Sequence, residues 1–398
     1  MLQRLSIYSK RTFPYCSRSF ATGAQIQKIA VTPESLRASR DKMLDFYVAQ
    51  QLPSGQMKGY EDCAYYCKLP LGLLLGGRVD EADRMLTYCR NNFLTPLGDF
   101  MNDNKMTKFD PDAKTLHWEF ADFYPYLNQW WITCGVRLGR FDFVEKAYNY
   151  VDRYWYNPAT QAQVVQDPIN ENPDGYNEHC IFNTAHIGNT YLFMGNKDKA
   201  LAVGNTIIKM TDAQPDLNGS GDGLRYYMRF KDNFELIKGY PDGARGVKNA
   251  AICKGNEPFQ CWWSLGYPIA FLAHLYNYTG DKKYLDGAEK ILQFCLKCND
   301  NIRNNIVSHK VMWGAAMVGS ITGKKEYWDL SRDIASHIIN VGQIETGEVK
   351  NWQWEKDENG VGTVYGEAQV IDQTGEIAYW FSVVARLMEQ AELDGKLN

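Results

Sequence analysis

Carboxylate and imidazole side chains recur in six short windows of the sequence, and an apolar stretch follows each window. The windows span residues 59–62, 117–120, 176–179, 257–263, 308–310 and 365–369. Three of the six histidines of the chain lie in them. Acid–base catalysis needs proton donors and acceptors held close together around the reacting atoms. The windows therefore supply the candidates for proton transfer, which are Glu119, Glu178, His179 and His309.

Other side chains in or near these windows are candidates for substrate binding. They are Tyr60, Asp62, His117, Trp118, Tyr176, Gln260, Trp262, Trp263, Trp313, Glu367 and Asp372. Asp372 and Glu376 are four residues apart, so both lie on one helical face and could look into a pocket. A simpler explanation stays open for part of the set. The helix dipole alone favours carboxylates in a first turn, and aromatic residues at helical spacing also pack in cores.

Residues 259–294 indicate the kind of element that would hold these windows. Apolar side chains in residues 262–276 repeat at spacings of three and four, as on the buried face of a helix. Gly280 suits the left-handed position just past a helix end, and Asp281 can cap the helix that follows. This stretch is a helical hairpin. Comparable glycine turns occur at Gly77, Gly139, Gly195 and Gly323.

These turns predict an all-α chain in which short connections alternate with long ones. Twelve helices in this order form a single (α/α)6 barrel of six hairpins, with six inner helices ringed by six outer ones. The inner helices are expected to begin near Tyr60, Trp118, Asn177, Gln260, His309 and Glu367. The outer ones are expected near Pro33, Asp80, Asp142, Lys197, Asp281 and Lys325. Residues 212–257 are expected to be irregular, apart from a short helix at 224–234. The inner helix starts and the long loops then share one end of the barrel, around an axial pocket.

Composition excludes several function classes. The net charge of −4 and the lack of a basic patch argue against nucleic-acid binding, and no apolar run approaches the roughly 18 residues of a membrane span. The ten cysteines fall mostly within helical patterns, which predicts reduced core residues and neither disulfides nor a zinc site. No motif predicts a metal or another cofactor. We expect a small-molecule substrate, with a homo-oligomer as an alternative to a monomer.

The first 33 residues are basic and contain no Asp or Glu. This composition is typical of a mitochondrial transit peptide, which we place at residues 1–20. The barrel domain then comprises residues 21–398 and is expected in the mitochondrion. The alternative is a basic tail on a cytoplasmic protein.

Two segments, CWWSLGYPIAFLAHLYNYTGDKKYL at 261–285 and HKVMWGAAMVGSITGKKEYW at 309–328, show the hairpin pattern most clearly. Through them the chain resembles the six-hairpin glycosidase-like superfamily, whose members share an (α/α)6 barrel. The resemblance covers most of residues 34–392. N-acylglucosamine 2-epimerases and related sugar isomerases of this superfamily use two histidines at inner helix ends as acid and base, which implies that role for His179 and His309. Unsaturated uronyl hydrolases use Asp residues at similar places. Residues 257–261 also resemble a segment of linalool dehydratase-isomerase, where cysteine and acid residues line the pocket.

We therefore expect an enzyme that uses acid–base chemistry in an axial pocket on a sugar or sugar-like substrate, as an isomerase, lyase or hydrolase. One alternative is a dehydratase, isomerase or cyclase of a small isoprenoid or polyketide-like molecule, with Phe259, Cys261 and Trp262 around a dry pocket. A second alternative is a non-catalytic helical scaffold. In that case the inner helix starts should pair with one another and leave no cavity.

Overall fold

The computed structural model describes residues 28–102, 125–165, 178–215, 217, 223–239, 251–350 and 367–397. The predicted leader at residues 1–20 lies outside them. The described residues form twelve α-helices. These are α1 Pro33–Val48, α2 Leu69–Leu75, α3 Val79–Asn92, α4 Tyr126–Arg137, α5 Phe141–Trp155, α6 Ile181–Phe193, α7 Lys197–Asp212, α8 Trp263–Thr279, α9 Lys282–Lys297, α10 His309–Thr322, α11 Lys325–His337 and α12 Glu367–Leu393.

The even-numbered helices form the inner ring of the barrel. Each packs against the next even-numbered helix, and α12 packs against α2, so the ring is closed. Each inner helix also packs against the outer helix that follows it, and α1 covers α12. In α8 every residue from Ser264 to Ala273 is buried, whereas α9 buries one face and leaves the other in water. The predicted all-α (α/α)6 barrel is confirmed.

Short glycine turns join the first five inner helices to the outer helices that follow them, as predicted. Their left-handed residues are Gly77, Gly139, Gly195, Gly280 and Gly323, with φ between 67° and 81°. A side chain in this conformation is strained, which is why glycine stands there. Asp281 caps α9, and its side chain accepts a hydrogen bond from the backbone N–H of Lys283 at 3.1 Å.

A second set of turns links the outer helices to one another. Three outer helices are each followed by a small β-bridged turn whose glycine has a positive φ and lies against the next outer helix. A Cβ on any of these glycines would come within 2.2–2.3 Å of a backbone carbonyl oxygen. The pairs are Gly55 against Arg84, Gly98 against Lys146, and Gly347 against Lys42. These rim turns, which the sequence analysis did not identify, fix neighbouring hairpins around the ring.

Six short strands cross the loop end of the barrel. They are β1 Tyr156–Asn157, β2 Ala162–Val165, β3 Glu178–Cys180, β4 Arg225–Tyr227, β5 Arg229–Lys231 and β6 Ile252–Lys254. One antiparallel sheet has the order β1-β2-β3-β5, and β4 pairs with β6. The short helix predicted at 224–234 is therefore wrong. Its aromatic residues favour strands, and partners distant in sequence decide the pairing.

Two predicted helix starts also differ from the structure. The helix expected from Tyr60 is a 3-10 turn at Cys63–Tyr66, and α2 begins only at Leu69. Pro70 lies in the first turn of α2, the one helical position where a missing N–H costs nothing. The helix expected from Asn177 begins at Ile181, because the residues before it form β3.

In the described part of the chain, no helix has both the length and the apolarity to cross a bilayer. The nine cysteines there are all buried and none forms a disulfide.

Candidate functional site

Five charged or titratable side chains meet at the loop end of the barrel axis and form what we call the axial cluster. Lys68 directly precedes α2, His309 and Lys310 open α10, and Asp372 and Glu376 lie one turn apart on α12. All five are less than 5% exposed. Charges so deeply buried are stable only when they are paired with one another.

Glu376 is the centre of the axial cluster. Its two carboxylate oxygens lie 2.8 and 2.9 Å from Lys310 Nζ, and Oε2 is also 2.6 Å from Lys68 Nζ. Trp380 Nε1 donates to Oε1 at 3.0 Å. Lys68 reaches a second carboxylate, with Nζ 2.5 Å from Asp372 Oδ2. One carboxylate thus holds two ammonium groups that come from different helices.

The hydrogen bonds of His309 define its tautomer. Nδ1 lies 2.8 Å from the carbonyl oxygen of Ile306, which can only accept, so Nδ1 carries the proton. Nε2 is then an acceptor, and it lies 3.0 Å from Lys310 Nζ, which donates to it. Glu376 Oε1 is 3.4 Å from the same nitrogen. The imidazole therefore presents a basic lone pair to Lys310.

Burial and mutual charge shift the pKa values of this cluster in different directions. Burial lowers the pKa of His309 to about 4, and the Lys310 charge adds to this effect. Burial also lowers the pKa of Lys310 to about 8, although Glu376 opposes the change. For Glu376, burial alone would raise the pKa, but Lys310 and Lys68 outweigh it and hold the pKa well below its usual value. His309 is thus neutral at pH 7.

The two remaining members of the axial cluster form its outer pair. Burial raises the pKa of Asp372, and the Lys68 charge opposes that change. Burial would lower the pKa of Lys68, but its two carboxylate partners raise it above the usual value. Lys68 has two carboxylates while Lys310 shares one, which explains why their pKa values move apart. Lys310 is the amine of this pair that can release a proton near neutral pH.

Close helix packing places Lys310. Gly266 of α8 faces the backbone of Lys310, and a Cβ there would come within 2.1 Å of the Lys310 carbonyl oxygen. A larger residue would push α10 away from α8. On α12 the spacing of Asp372 and Glu376 places both on the face toward the axis, one of the two orientations that the sequence left open.

Aromatic side chains fill the axis next to the cluster. Trp313 stacks on Trp380, with ring centroids 3.9 Å apart and an angle of 18°. The ring of Tyr267 packs edge to face on Trp313, with centroids 5.5 Å apart. It is tilted by 42° against the ring of His186, with centroids 4.6 Å apart. Burial lowers the pKa of His186 well below its usual value. Trp313, a predicted binding residue, therefore lies on the axis, but it packs against other rings.

His179 and Glu178 lie elsewhere, on strand β3. His179 Nδ1 is 3.1 Å from the carbonyl oxygen of Gln163, and Nε2 is 3.0 Å from Asp232 Oδ1. Glu178 pairs with Arg229 at 3.1 Å. Both nitrogens of His179 thus have partners outside the axial cluster, and the structure does not bring His179 and His309 into one group.

The predicted residues at the rim have mainly local contacts. The Asp62 side chain accepts from the backbone N–H of Ala64, and the Tyr60 carbonyl accepts from the Tyr66 hydroxyl. Gln260 bonds within its own turn, to Lys254 and Pro258.

The two predicted tryptophans at the start of α8 pack against other elements. Trp262 is buried, and its Nε1 donates to Asn301 at 3.0 Å. Trp263 packs edge to face on Phe182 at 5.0 Å.

Several predicted residues cannot be placed. His117, Trp118, Glu119 and Tyr176 lie outside the described residues, and Glu367 begins α12 without a described side chain. Among the described residues, no group of three or more His, Cys, Asp or Glu side chains could hold a metal ion.

Lys68 and His186 are axial residues that were not among the predicted site residues. A signal for both existed, since Lys68 is the one charge in the stretch CKLPLGLLL, and His186 stands in the apolar helix IFNTAHIGNTYLF. An isolated polar residue in a helix buried on all sides needs a partner. The local sequence pattern does not predict which residue that partner is.

Neither the protein-family models nor the curated proteins compared with this chain give a match. Solved structures do match. D-mannose isomerase is 12% identical, with a TM-score of 0.60 over 87% of this chain and 97% of that chain. Cellobiose 2-epimerase from Bacillus thermoamylovorans B4167 is 12% identical, with a TM-score of 0.56 over 87% and 98%. An unsaturated glucuronyl hydrolase specific for heparin is 12% identical, with a TM-score of 0.56 over 92% and 99%.

These structures are sugar isomerases, epimerases and hydrolases built on one barrel, and at 12% identity the likeness concerns the fold. The chain therefore shares with these proteins the fold of a barrel built from six helical hairpins.

Proposed function

We propose that this protein is an enzyme that transfers protons on a sugar or sugar-like substrate, in the manner of an isomerase or epimerase. One observation carries the proposal. A neutral histidine, His309, presents the lone pair of Nε2 to Lys310, 3.0 Å away, at the loop end of the barrel axis. The pKa of Lys310 is about 8, so a base and an acid coexist near neutral pH.

The geometry favours proton transfer over glycoside hydrolysis. Hydrolysis of a glycosidic bond needs two carboxyl groups on either side of the bond, roughly 5–9.5 Å apart, with the sugar between them. Asp372 and Glu376 instead bind the same nitrogen, Lys68 Nζ, at 2.5 and 2.6 Å. These two carboxylates therefore face a common ammonium group and not the two sides of a glycosidic bond. The hydrolase among the expected activities is thus the less favoured one.

The proposed step uses His309 as base and Lys310 as acid. His309 Nε2 takes the proton from the carbon next to the carbonyl group of an open-chain sugar, which leaves an enediolate. The Lys310 ammonium hydrogen-bonds to the carbonyl oxygen and stabilises the developing charge. Return of the proton to the neighbouring carbon gives the isomer when the Lys310 ammonium gives a proton to the former carbonyl oxygen and the resulting amine takes one from the adjacent hydroxyl group. Return to the opposite face of the same carbon, once the enediolate has turned that face toward His309, gives the epimer.

The proposal that the substrate is a carbohydrate is supported by the fold and not by the geometry of the axial cluster. D-mannose isomerase and cellobiose 2-epimerase share the barrel. The isoprenoid alternative has less support, because Cys261 and Trp262 are fully buried in the core. Trp262 also bonds to Asn301.

Proton exchange in D2O tests the proposal. The purified protein is incubated with a panel of aldoses, ketoses and unsaturated uronides, and NMR follows deuterium at the carbon next to the carbonyl group. We expect deuterium incorporation or isomer formation with at least one sugar. Lys310→Met and His309→Gln should each reduce the rate about 100-fold or more. Lys290→Met, which changes an exposed lysine on α9, is the matched control and should keep the full rate.

The outcomes separate the alternatives. Hydrolysis of a disaccharide or uronide without exchange would show a hydrolase and would refute the proton-transfer mechanism. An exchange rate that is unchanged in both cluster variants, with normal thermal melts, would remove His309 and Lys310 from the chemistry.

A second candidate function, a non-catalytic binding scaffold, is favoured by a different observation. The described residues at the starts of α2 and α10 pair with α12, and His309 and Lys310 are 0% and 3% exposed. A substrate must displace the hydrogen bond between Lys310 and His309 to reach Nε2. Ligand binding to a barrel that catalyses no exchange, isomerisation or hydrolysis across the panel would support the scaffold.

A further inference from the structure

A small cavity lies on the barrel axis beside the axial cluster. Its volume is about 20 Å³, and each of the six inner helices contributes at least one side chain to its wall. Trp380, which donates to Glu376, is part of the wall, as is Trp313. A cavity needs about 10–15 Å³ to hold one water molecule. This one therefore admits a single water-sized guest and is far too small for a sugar.

Besides the hydroxyl of Tyr267, three buried polar atoms on the side chains that line the cavity have no hydrogen-bond partner among the described residues. They are Trp130 Nε1, His186 Nδ1 and Asn189 Nδ2. The three side chains are 2%, 5% and 3% exposed. The other end of the Asn189 amide is engaged, since Oδ1 lies 2.9 Å from His274 Nδ1. A buried donor or acceptor without a partner costs about 1–3 kcal/mol, so three such atoms around one cavity point to a guest that pairs with them.

We propose that this cavity is a binding site for one internal water molecule. Trp130 Nε1 and Asn189 Nδ2 can only donate, and they supply the two hydrogen bonds that a water oxygen accepts. His186 Nδ1 can accept one water proton, and the hydroxyl oxygen of Tyr267, which also lines the cavity, can accept the other. Two donors and two acceptors match the four hydrogen bonds of a water molecule.

The bound water has a consequence for the axial cluster. It fixes His186 as the tautomer that carries its proton on Nε2, because Nδ1 accepts from the water. The His186 ring packs on Tyr126 at 4.8 Å, and the Tyr126 ring in turn lies 5.4 Å from Lys68 Nζ. The water thus holds the His186 ring in place, and through the Tyr126 ring this contact extends to Lys68. This inference does not depend on the proposed reaction.

A halide ion is the other guest of suitable size, and it differs from water in one respect. An anion accepts from every partner, so His186 would have to carry its proton on Nδ1. The anion would also lie near the negatively charged Glu376 carboxylate, which would repel it. The residues that line the cavity therefore favour water over a halide ion.

Two measurements on the full-length protein test the proposal. A high-resolution crystal structure should show one solvent peak within hydrogen-bond distance of Trp130 Nε1 and Asn189 Nδ2. Nitrogen-15 NMR should show His186 as the Nε2–H tautomer, with no titration between pH 5 and 8. An anomalous peak in the cavity after a bromide soak, or the Nδ1–H tautomer, would overturn the water in favour of an anion. A cavity without a solvent peak would overturn the site itself.

Matched tryptophan variants add a second test. Trp130→Phe removes one hydrogen-bond donor from the cavity. At least one of two signals should then be lost, either the solvent peak in the crystal structure or the single-tautomer NMR signal of His186. Trp131→Phe removes a neighbouring buried indole that stacks on Phe100 and does not line the cavity, so both signals should stay unchanged. The same loss in both variants would contradict the site. If Trp130→Phe does not fold, the measurements on the unchanged protein still decide.

Discussion

Replacement of Glu376 by Gln tests how much the buried ion pairs of the axial cluster stabilise the barrel. The side chain keeps its size, and the new amide oxygen can still accept from Trp380. What disappears is the negative charge that two lysines share, at 2.6 Å from Lys68 and at 2.8–2.9 Å from Lys310. Lys68 keeps Asp372 as a partner. Among the described residues, Lys310 then keeps neutral acceptors within hydrogen-bond distance, His309 Nε2 and the new amide oxygen, but no carboxylate.

The size of the effect follows from burial. Removal of one partner of a buried ion pair typically costs about 3–5 kcal/mol, because the other charge stays in a medium of low polarity. All three side chains are less than 5% exposed, so solvent does not screen the loss. We therefore expect Glu376→Gln to lower the free energy of unfolding by about 3–5 kcal/mol.

Urea denaturation followed by tryptophan fluorescence measures this change, with Asp329→Asn as the control. Asp329 pairs with Lys325 at 2.6 Å, but both side chains are exposed, and such a pair contributes at most about 0.5 kcal/mol. The double variant Glu376→Gln with Lys310→Met removes the ammonium that has lost its carboxylate. It should be more stable than Glu376→Gln alone.

Two results would refute this reasoning. The first is a loss no greater than that of Asp329→Asn, which would mean that Glu376 is hydrated or that the lysines have other partners. The second is a double variant less stable than Glu376→Gln. That result would mean that Lys310 contributes by packing its alkyl chain and not through its charge.

Two further predictions concern acid stability and the rim turns. Because the pKa of His309 falls from 6.5 to about 4 on folding, the unfolded chain binds the extra proton between these values. Stability should be complete above pH 6.5 and decrease by about 3 kcal/mol as the pH falls through 4. Urea denaturation at pH 7 and 4.5 checks this. His309→Gln should make the decrease smaller but not abolish it, because burial also lowers the pKa values of His186 and His274. Gly55→Ala should cost more than Gly59→Ala in thermal melts, because both have φ near 90° but a Cβ at Gly55 alone meets the Arg84 carbonyl, at 2.2 Å. Equal costs would contradict the packing argument.

The fold was predictable from the sequence because its signals are local. The spacing of apolar residues in 262–276 and the Gly280–Asp281 turn depend on neighbours within one or two helical turns. The same signals recur five times, and their alternation with long loops leaves few topologies. The strands at 225–227 and 229–231 were missed because their pairing with distant segments, and not their own pattern, decides their conformation.

The candidate site was predictable only in outline. The expectation that chemistry-bearing groups meet where inner helices begin placed His309 and Asp372 in one region, and the structure shows both in the axial cluster. The resemblance implied acid–base roles for both His179 and His309. In the structure His309 lies in the axial cluster, whereas the ring nitrogens of His179 face Gln163 and Asp232. A strand, not a helix, carries His179, and it directs the ring toward Gln163 and Asp232.

The sequence by itself determined which segments become helices, where the short turns fall and which faces are apolar, since these properties depend on residues a few positions apart. Only the tertiary structure decided that Lys68 meets Asp372, 304 positions away, and that Lys310 meets Glu376, 66 positions away. Ring closure brings the last inner helix against the first, and close packing at Gly266 sets the height of α10. A buried charge must find a partner, but the geometry of the closed ring selects which one.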